Sequence, residues 1–219
     1  MVAGVTVSVT MANDLEPQYW QRALQELAAG DAVLAGLVRR YGQRGLVSRG
    51  DAFGTLARSI VGQQISVKAA DSVWNRLVAA VPEMTPQGVL ATGETGLGGC
   101  GLSQRKREYL IDLAAHFAEG RIDPRRWGQH DDAAIIAELT GVRGIGRWTA
   151  EMFLIFNLLR PDVFPLDDIG LQRAIGLHYF AGGKPARHQL AEIGARWRPW
   201  RTVATWYLWR SLDPLPVDY

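Results

Sequence analysis

The sequence predicts an all-α fold built as two interlocked helical subdomains with the functional cleft between them. Three observations carry that expectation. Apolar residues recur at helical spacing in one segment after another, only residues 5–10 (VTVSVT) alternate as a strand would, and no internal repeat or low-complexity linker interrupts the chain. At 219 residues and 47% hydrophobic, the chain is long enough for one compact unit with its own apolar core and too apolar for disorder.

The elements follow in order. Residues 1–12 read as a tail or a short edge strand, since one strand makes no sheet. Residues 17–38 place Trp20, Leu24, Leu27, Leu34 and Leu37 near one helical face. Residues 53–81 repeat the pattern with Leu56, Ile60, Val67, Val73, Trp74 and Leu77, and Pro82 stops it. Residues 93–103, GETGLGGCGLS, read as a loop between two helical layers. A helix over 107–118 carries Leu110, Leu113, Ala114 and Phe117, with Gly120 as its C-terminal stop. Helices over 131–139 and 147–159 come next, the second closed by Pro161. Two more cover 168–176 and 187–197, and Pro199 suits the first turn of a last helix.

Composition narrows the function classes. A single cysteine, Cys100, excludes an intrachain disulfide and any four-cysteine zinc or iron–sulfur site, and fits a reducing, intracellular setting. No apolar run reaches the length of a membrane span, and the N-terminus lacks the basic and apolar regions of a signal peptide. Net charge is only +2 (24 basic minus 22 acidic residues). Bulk charge therefore announces no nucleic-acid binder, but the basic residues cluster. Arg105, Lys106 and Arg107 stand together against Glu108, and Lys184, Arg187, Arg196, Arg198, Arg201 and Arg210 stand against Glu192 alone.

Between the helices over 131–139 and 147–159 lies a turn in the stretch LTGVRGIG, followed by RWTAEMFLIF. Glycines at 141, 144 and 146 permit positive φ and close backbone approach, and the unpaired amides opening the next helix favour an anion. The carbonyls of Thr140, Val142 and Ile145 offer a common centre for a monovalent cation, sodium or potassium. A plain helix–turn–helix with no ligand also accounts for the glycines. LTGVRGIGRWTA resembles the helix-hairpin-helix motif of the base-excision DNA glycosylase superfamily, with Arg143 where proline is common. The resemblance implies DNA contact through Thr140, Val142, Arg143, Gly144, Ile145 and Gly146.

Downstream, DVFPLDDIGLQRAIG contains Asp167 and Asp168 immediately ahead of a helix. Helix capping alone explains both. The superfamily, however, places an essential aspartate shortly after the hairpin and just before a helix, and Asp168 matches it, leaving Asp167 as a cap or supporting partner. Such a carboxylate stabilises the positive charge that develops on deoxyribose as the base leaves. Members that also cut the strand carry a lysine where this chain has Trp148, so the resemblance implies a monofunctional enzyme with no Schiff base from this site.

Trp148 and Trp209 match pocket tryptophans of the superfamily's 3-methyladenine branch, whose aromatic faces attract cationic bases, and Met152 stands where a second aromatic is usual. Spacing alone assigns either tryptophan equally well to the core, and places Trp197, Trp200 and Trp206 there. SIVGQQIS, with Gln63 and Gln64, and GLSQRK, with Gln104, Arg105 and Lys106, resemble two further DNA-facing segments. Gln104 leads as the wedge that fills the gap of the flipped base, with Leu102 second. Over residues 53–210 these segments keep the superfamily's order. Together they imply a single-copy hydrolase for alkylated purines such as 3-methyladenine and 7-methylguanine. Its partner is double-stranded DNA, and it uses no organic cofactor and no membrane. The rival readings are a non-catalytic hairpin module that binds distorted DNA, and a glycosylase for oxidised or deaminated bases.

Overall fold

The computed structural model describes residues 16–42 and 45–213, so the expected strand at 5–10 and the tail at 1–12 lie outside the described residues. Every regular element among those described is helical. In chain order these are α1 (Trp20–Gly30), α2 (Ala32–Tyr41), α3 (Ala52–Gly62), α4 (Val67–Ala80), α5 (Pro86–Leu97), α6 (Gln104–Ala118), α7 (Asp132–Thr140), α8 (Arg147–Phe156), α9 (Ile169–Tyr179), α10 (Arg187–Ala195) and α11 (Arg201–Leu212). Short 3-10 turns cover Gly98–Cys100 and Pro124–Arg126. No helix among the described residues is long and apolar enough to cross a membrane.

The chain starts in one subdomain, builds the other, and returns. Helices α1 and α2 pack on each other and on α11, which also holds α9. Between them in sequence, α3 packs on α4, α6 and α8, α5 lies on α4 and α6, and α7 pairs with α8. Trp20, Trp197 and Tyr207 are fully buried in the first group, and Leu56, Ile60, Leu77, Leu110 and Leu113 in the second.

Apolar periodicity places these faces correctly but runs through breaks that polar residues impose. The single helix expected over 17–38 divides at Asp31, whose extended backbone (φ −143°, ψ 110°) ends α1 and starts α2. Its Oδ1 accepts the amides of Val33 and Leu34 at 3.0 and 3.1 Å. Its Oδ2 accepts the Tyr179 hydroxyl at 2.9 Å and the Trp197 indole N–H at 3.0 Å. One capping carboxylate thus ties both ends of the chain together. The helix expected over 53–81 divides likewise: Gln64 takes a left-handed φ of 59°, and Ser66 caps α4 through the amide of Ala69. The loop expected over 93–103 is mostly helical, broken at Gly93 (φ 64°), because Leu97 and Cys100 are buried and pin the segment to the core. Pro199 precedes the last helix by two residues instead of opening its first turn.

The hairpin joins α7 to α8 through residues 141–146. Val142 and Ile145 point inward, 1% and 4% exposed, and the Val142 carbonyl accepts the Ile145 amide at 3.1 Å. Gly144 has φ +86°, and a Cβ on it would lie 2.2 Å from Cδ2 of Tyr109 on α6. Gly146 differs: its φ is −90°, and no atom lies within 4 Å of where a Cβ would stand.

Two stability outcomes follow from this packing. Asp31→Ala removes a cap and leaves the buried Trp197 and half-buried Tyr179 donors without their acceptor, an expected loss of about 2–4 kcal/mol in urea unfolding; a loss below about 1 kcal/mol would show the carboxylate to be dispensable. Gly144→Ala meets both the positive φ and the Tyr109 ring, an expected loss of about 2–4 kcal/mol. In Gly144→Ala/Tyr109→Ala the two losses should sum to more than the double variant shows, since the clash disappears. Strict additivity would leave φ as the whole cause.

Candidate active site

Asp168 is the N-cap of α9, with Oδ1 accepting the Leu171 amide at 2.6 Å. The same oxygen accepts the indole N–H of Trp209 at 2.8 Å, and Oδ2 accepts that of Trp148 at 2.8 Å. The carboxylate therefore sits between a tryptophan from the hairpin helix and one from the last helix. A carboxylate offers about four lone-pair sites, and three are occupied here, so Oδ2 retains one for an incoming group. Asp167 is not the cap expected as one of its options. It is exposed and paired with Arg187, which holds its carboxyl below the usual range.

Trp148, whose indole holds this carboxylate, also lines a largely apolar cavity of about 340 Å³ between α8 and the α3–α4 turn, which Asp168 itself does not line. That volume lies in the lower part of the roughly 300–1,000 Å³ typical of small-molecule sites. Trp148, Met152 and Phe156 form one wall at i, i+4 and i+8 of α8, stacked one above another on one helix face. Trp148 is 42% exposed, so its ring forms the open edge. Trp209 does not line this cavity. It stands a layer behind, stacked on Phe156 at 5.9 Å and 13°, and its link to the site is through that ring and Asp168. Phe156 was absent from the expected pocket, although its spacing from Trp148 and Met152 was legible. On the opposite side Arg49 lies over Phe156 at 5.3 Å, and Arg58 lies over Trp74 and pairs with Asp71 at 2.7 Å. Trp197 and Trp206 are core residues, whereas Trp200 is half-buried, stacks on Tyr19 and donates to Glu26.

The residues expected to meet DNA divide into two groups. Gly146 and the first turn of α8 are open: Gly146 caps the helix without a side chain, and the Arg147 guanidinium is paired with buried Glu151 at 2.9 Å. Burial pushes the Glu151 carboxyl up, and Arg147 opposes that shift. Thr140, Gln64, Gln104 and Arg105 are exposed. Others are turned to internal tasks. The Arg143 amide donates to Asp112 at 2.8 Å, and its guanidinium lies 3.6 Å from Asp112 and 3.9 Å from Glu108. Gln63 donates to the Gly144 carbonyl at 2.8 Å. Lys106 donates to the carbonyls of Val61 and Gln63 at 2.7 and 2.8 Å, and burial lowers its pKa. Leu102, the second wedge candidate, is 6% exposed and belongs to the core, which leaves Gln104 at the tip. The Val142 carbonyl is engaged in the turn, so its second lone pair alone is available to a cation.

The basic cluster over 184–210 is also more neutral than its sequence. Asp167 pairs with Arg187, Asp162 with Arg198 and Arg201, and Arg210 lies over Tyr41 and Trp206. These compensating carboxylates are distant in the chain, which is why the local charge count missed them.

Residues 57–199 match the family described as HhH-GPD superfamily base excision DNA repair protein. The chain is 30% identical to DNA-3-methyladenine glycosylase 1 of Schizosaccharomyces pombe over 81% of this chain and 80% of the relative. Among solved structures, DNA-3-methyladenine glycosidase of Bacillus halodurans superposes with a TM-score of 0.82 at 33% identity, covering 87% of this chain and 89% of that one. The Schizosaccharomyces pombe 3-methyladenine DNA glycosylase bound to abasic DNA superposes with 0.77 at 29% identity, covering 90% and 98%. With a matched segment that takes in the pocket-lip turn, the hairpin and Asp168, this chain belongs to the HhH-GPD superfamily of base excision DNA repair proteins.

Proposed function

We propose that the chain is a monofunctional DNA glycosylase that hydrolyses alkylated purines, 3-methyladenine and 7-methylguanine among them, from double-stranded DNA and leaves an abasic site. The observation that carries this reading is the Asp168 carboxylate, held by two indole N–H groups, one of them from Trp148 at the open edge of an aromatic cavity. A flipped base enters the cavity against Trp148, Met152 and Phe156, where an aromatic face attracts a cationic ring by roughly 1–2 kcal/mol once water is excluded. As the glycosidic bond lengthens, positive charge builds on the sugar, and the anionic Asp168 stabilises it. Water then adds at C1′, the base departs with its bonding electrons, and the proton released by water passes to solvent. An alkylated purine leaves without a strong general acid, and position 148 supplies no amine for a covalent intermediate. The exposed Gly146 end of α8 is the anion-binding surface for the strand, and the hairpin carbonyls of Thr140, Val142 and Ile145 are the candidate holders of a sodium or potassium ion.

Mass-spectrometric identification of bases released from methylated, oxidised and deaminated DNA tests the reading. The wild type should release methylated purines. Asp168→Asn should lower that release by about a hundredfold or more with DNA affinity kept within about threefold. The amide oxygen still caps Leu171, but its NH₂ faces an indole N–H. Release only of oxidised or deaminated bases would transfer the activity to another lesion class, and binding without any release would leave a recognition module.

Trp209→Phe keeps the ring on Phe156 and deletes one donor to Asp168. An expected loss of about tenfold in single-turnover rate, with KM little changed, checks that the indole orients the carboxylate; an unaltered rate would reduce Trp209 to packing.

A further inference from the structure

Lys106 is the third residue of α6, and Gln104, the exposed tip residue, is the first. Its ammonium commits two of its three N–H donors inside the protein. It reaches across to the C-terminal end of α3 and donates to the carbonyls of Val61 and Gln63. Those carbonyls form the negative end of a helix dipole, where a cation is favoured. Gln63, whose carbonyl receives Lys106, uses its own side chain to hold the Gly144 carbonyl of the hairpin. Helix α6 meets the hairpin twice more, through Tyr109 under Gly144 and through Asp112, which accepts the Arg143 amide.

A continuous set of hydrogen bonds therefore joins three surfaces that belong to separate parts of the sequence: the tip at Gln104, the cavity lip at residues 63–66, and the hairpin turn. Gln64, the lip residue next to Gln63, adopts a left-handed φ of 59°. A non-glycine residue holds that conformation only where its surroundings impose it. The Lys106 bond to the carbonyl of the Gln63–Gln64 peptide and the Gln63 side-chain bond to Gly144 fix the chain immediately before it.

We propose that Lys106 is a positioning residue for base extrusion, setting the tip of α6 and the lip of the base cavity at a fixed separation so that the gap is filled as the base is received. This rests on the glycosylase reading above. A tip residue works only while the base is being pulled from the stack, a step costing a few kcal/mol in paired DNA and much less for an unpaired base. Loss of the Lys106 bonds should then be felt according to how strongly the lesion is held in the helix, which neither a phosphate contact nor a packing role would produce.

The test compares the full chain with Lys106→Met, Lys106→Arg and Gln63→Met on duplexes carrying 7-methylguanine, either paired with cytosine or opposite an abasic site. Single-turnover release by Lys106→Met should fall about tenfold on the paired lesion and less than about threefold on the unpaired one. Lys106→Arg, which still donates to two carbonyls, should recover most of the loss, and Gln63→Met should repeat the discrimination without touching the lysine, so a poorly folded Lys106→Met does not decide the matter. The salt dependence of DNA affinity should keep its slope in Lys106→Met, while Arg105→Ala, an exposed cation, should lower it by about one. Fluorescence of 2-aminopurine beside the lesion reads extrusion apart from chemistry. Its rise should be smaller for Lys106→Met even if the wild type released no base, an outcome that would overturn the glycosylase reading alone. Equal losses on paired and unpaired lesions, or a salt slope reduced as in Arg105→Ala, would overturn the positioning role.

Discussion

A carboxylate that caps a helix is held by the backbone, and its direction is set by the helix that it starts. Asp168 is held in that way by α9 and then oriented again by two indoles, one from α8 and one from α11. Three helices must be in register before those three N–H groups converge on two oxygens. The site is thus a consequence of how the returning C-terminal helices close on the hairpin subdomain, and it has no existence within either alone. The same arrangement lets an acid that caps a helix keep an acceptor position open. The cap and the Trp209 bond share Oδ1, while Oδ2 takes only Trp148, so the free lone pair lies on the oxygen nearest the exposed ring.

The hairpin is governed by a related constraint, the need to expose a strip of backbone while remaining rigid. Exposed backbone is normally mobile, because water competes for every amide. Here rigidity comes from the inner side of the turn, where Val142 and Ile145 are buried and Tyr109 leaves room for glycine only at 144. The outer side is left bare at Gly146, whose backbone would accept any residue, so its missing side chain matters for access and not for conformation. The two glycines of one short motif therefore have different physical causes.

Much of this was legible in the sequence, because the relevant signals are local. Helix type and core faces follow from apolar spacing, and the hairpin, the downstream aspartate and the tryptophan in the lysine position are short patterns whose residues stand close together. The failures also share a cause. Helix breaks at Asp31 and Gln64 passed unnoticed because apolar periodicity continues on both sides when two helices face one core. The internal partners of Lys106, Arg143 and Gln63, at Val61, Asp112 and Gly144, left no local signal because they lie 31 to 81 positions away along the chain. Phe156 completes a spacing that was already on the page with Trp148 and Met152, yet an apolar residue late in a helix reads equally well as core.

Charge gives the last step. Arg143, Arg147, Arg187, Arg198 and Arg201 each have a carboxylate within 4 Å. Paired surface arginines can still turn to a phosphate, but each must first leave its partner, which weakens the sequence-independent attraction that counterion release provides. A net charge of +2, which by itself announces no nucleic-acid partner, thus goes with arginines and carboxylates that pair on the folded surface.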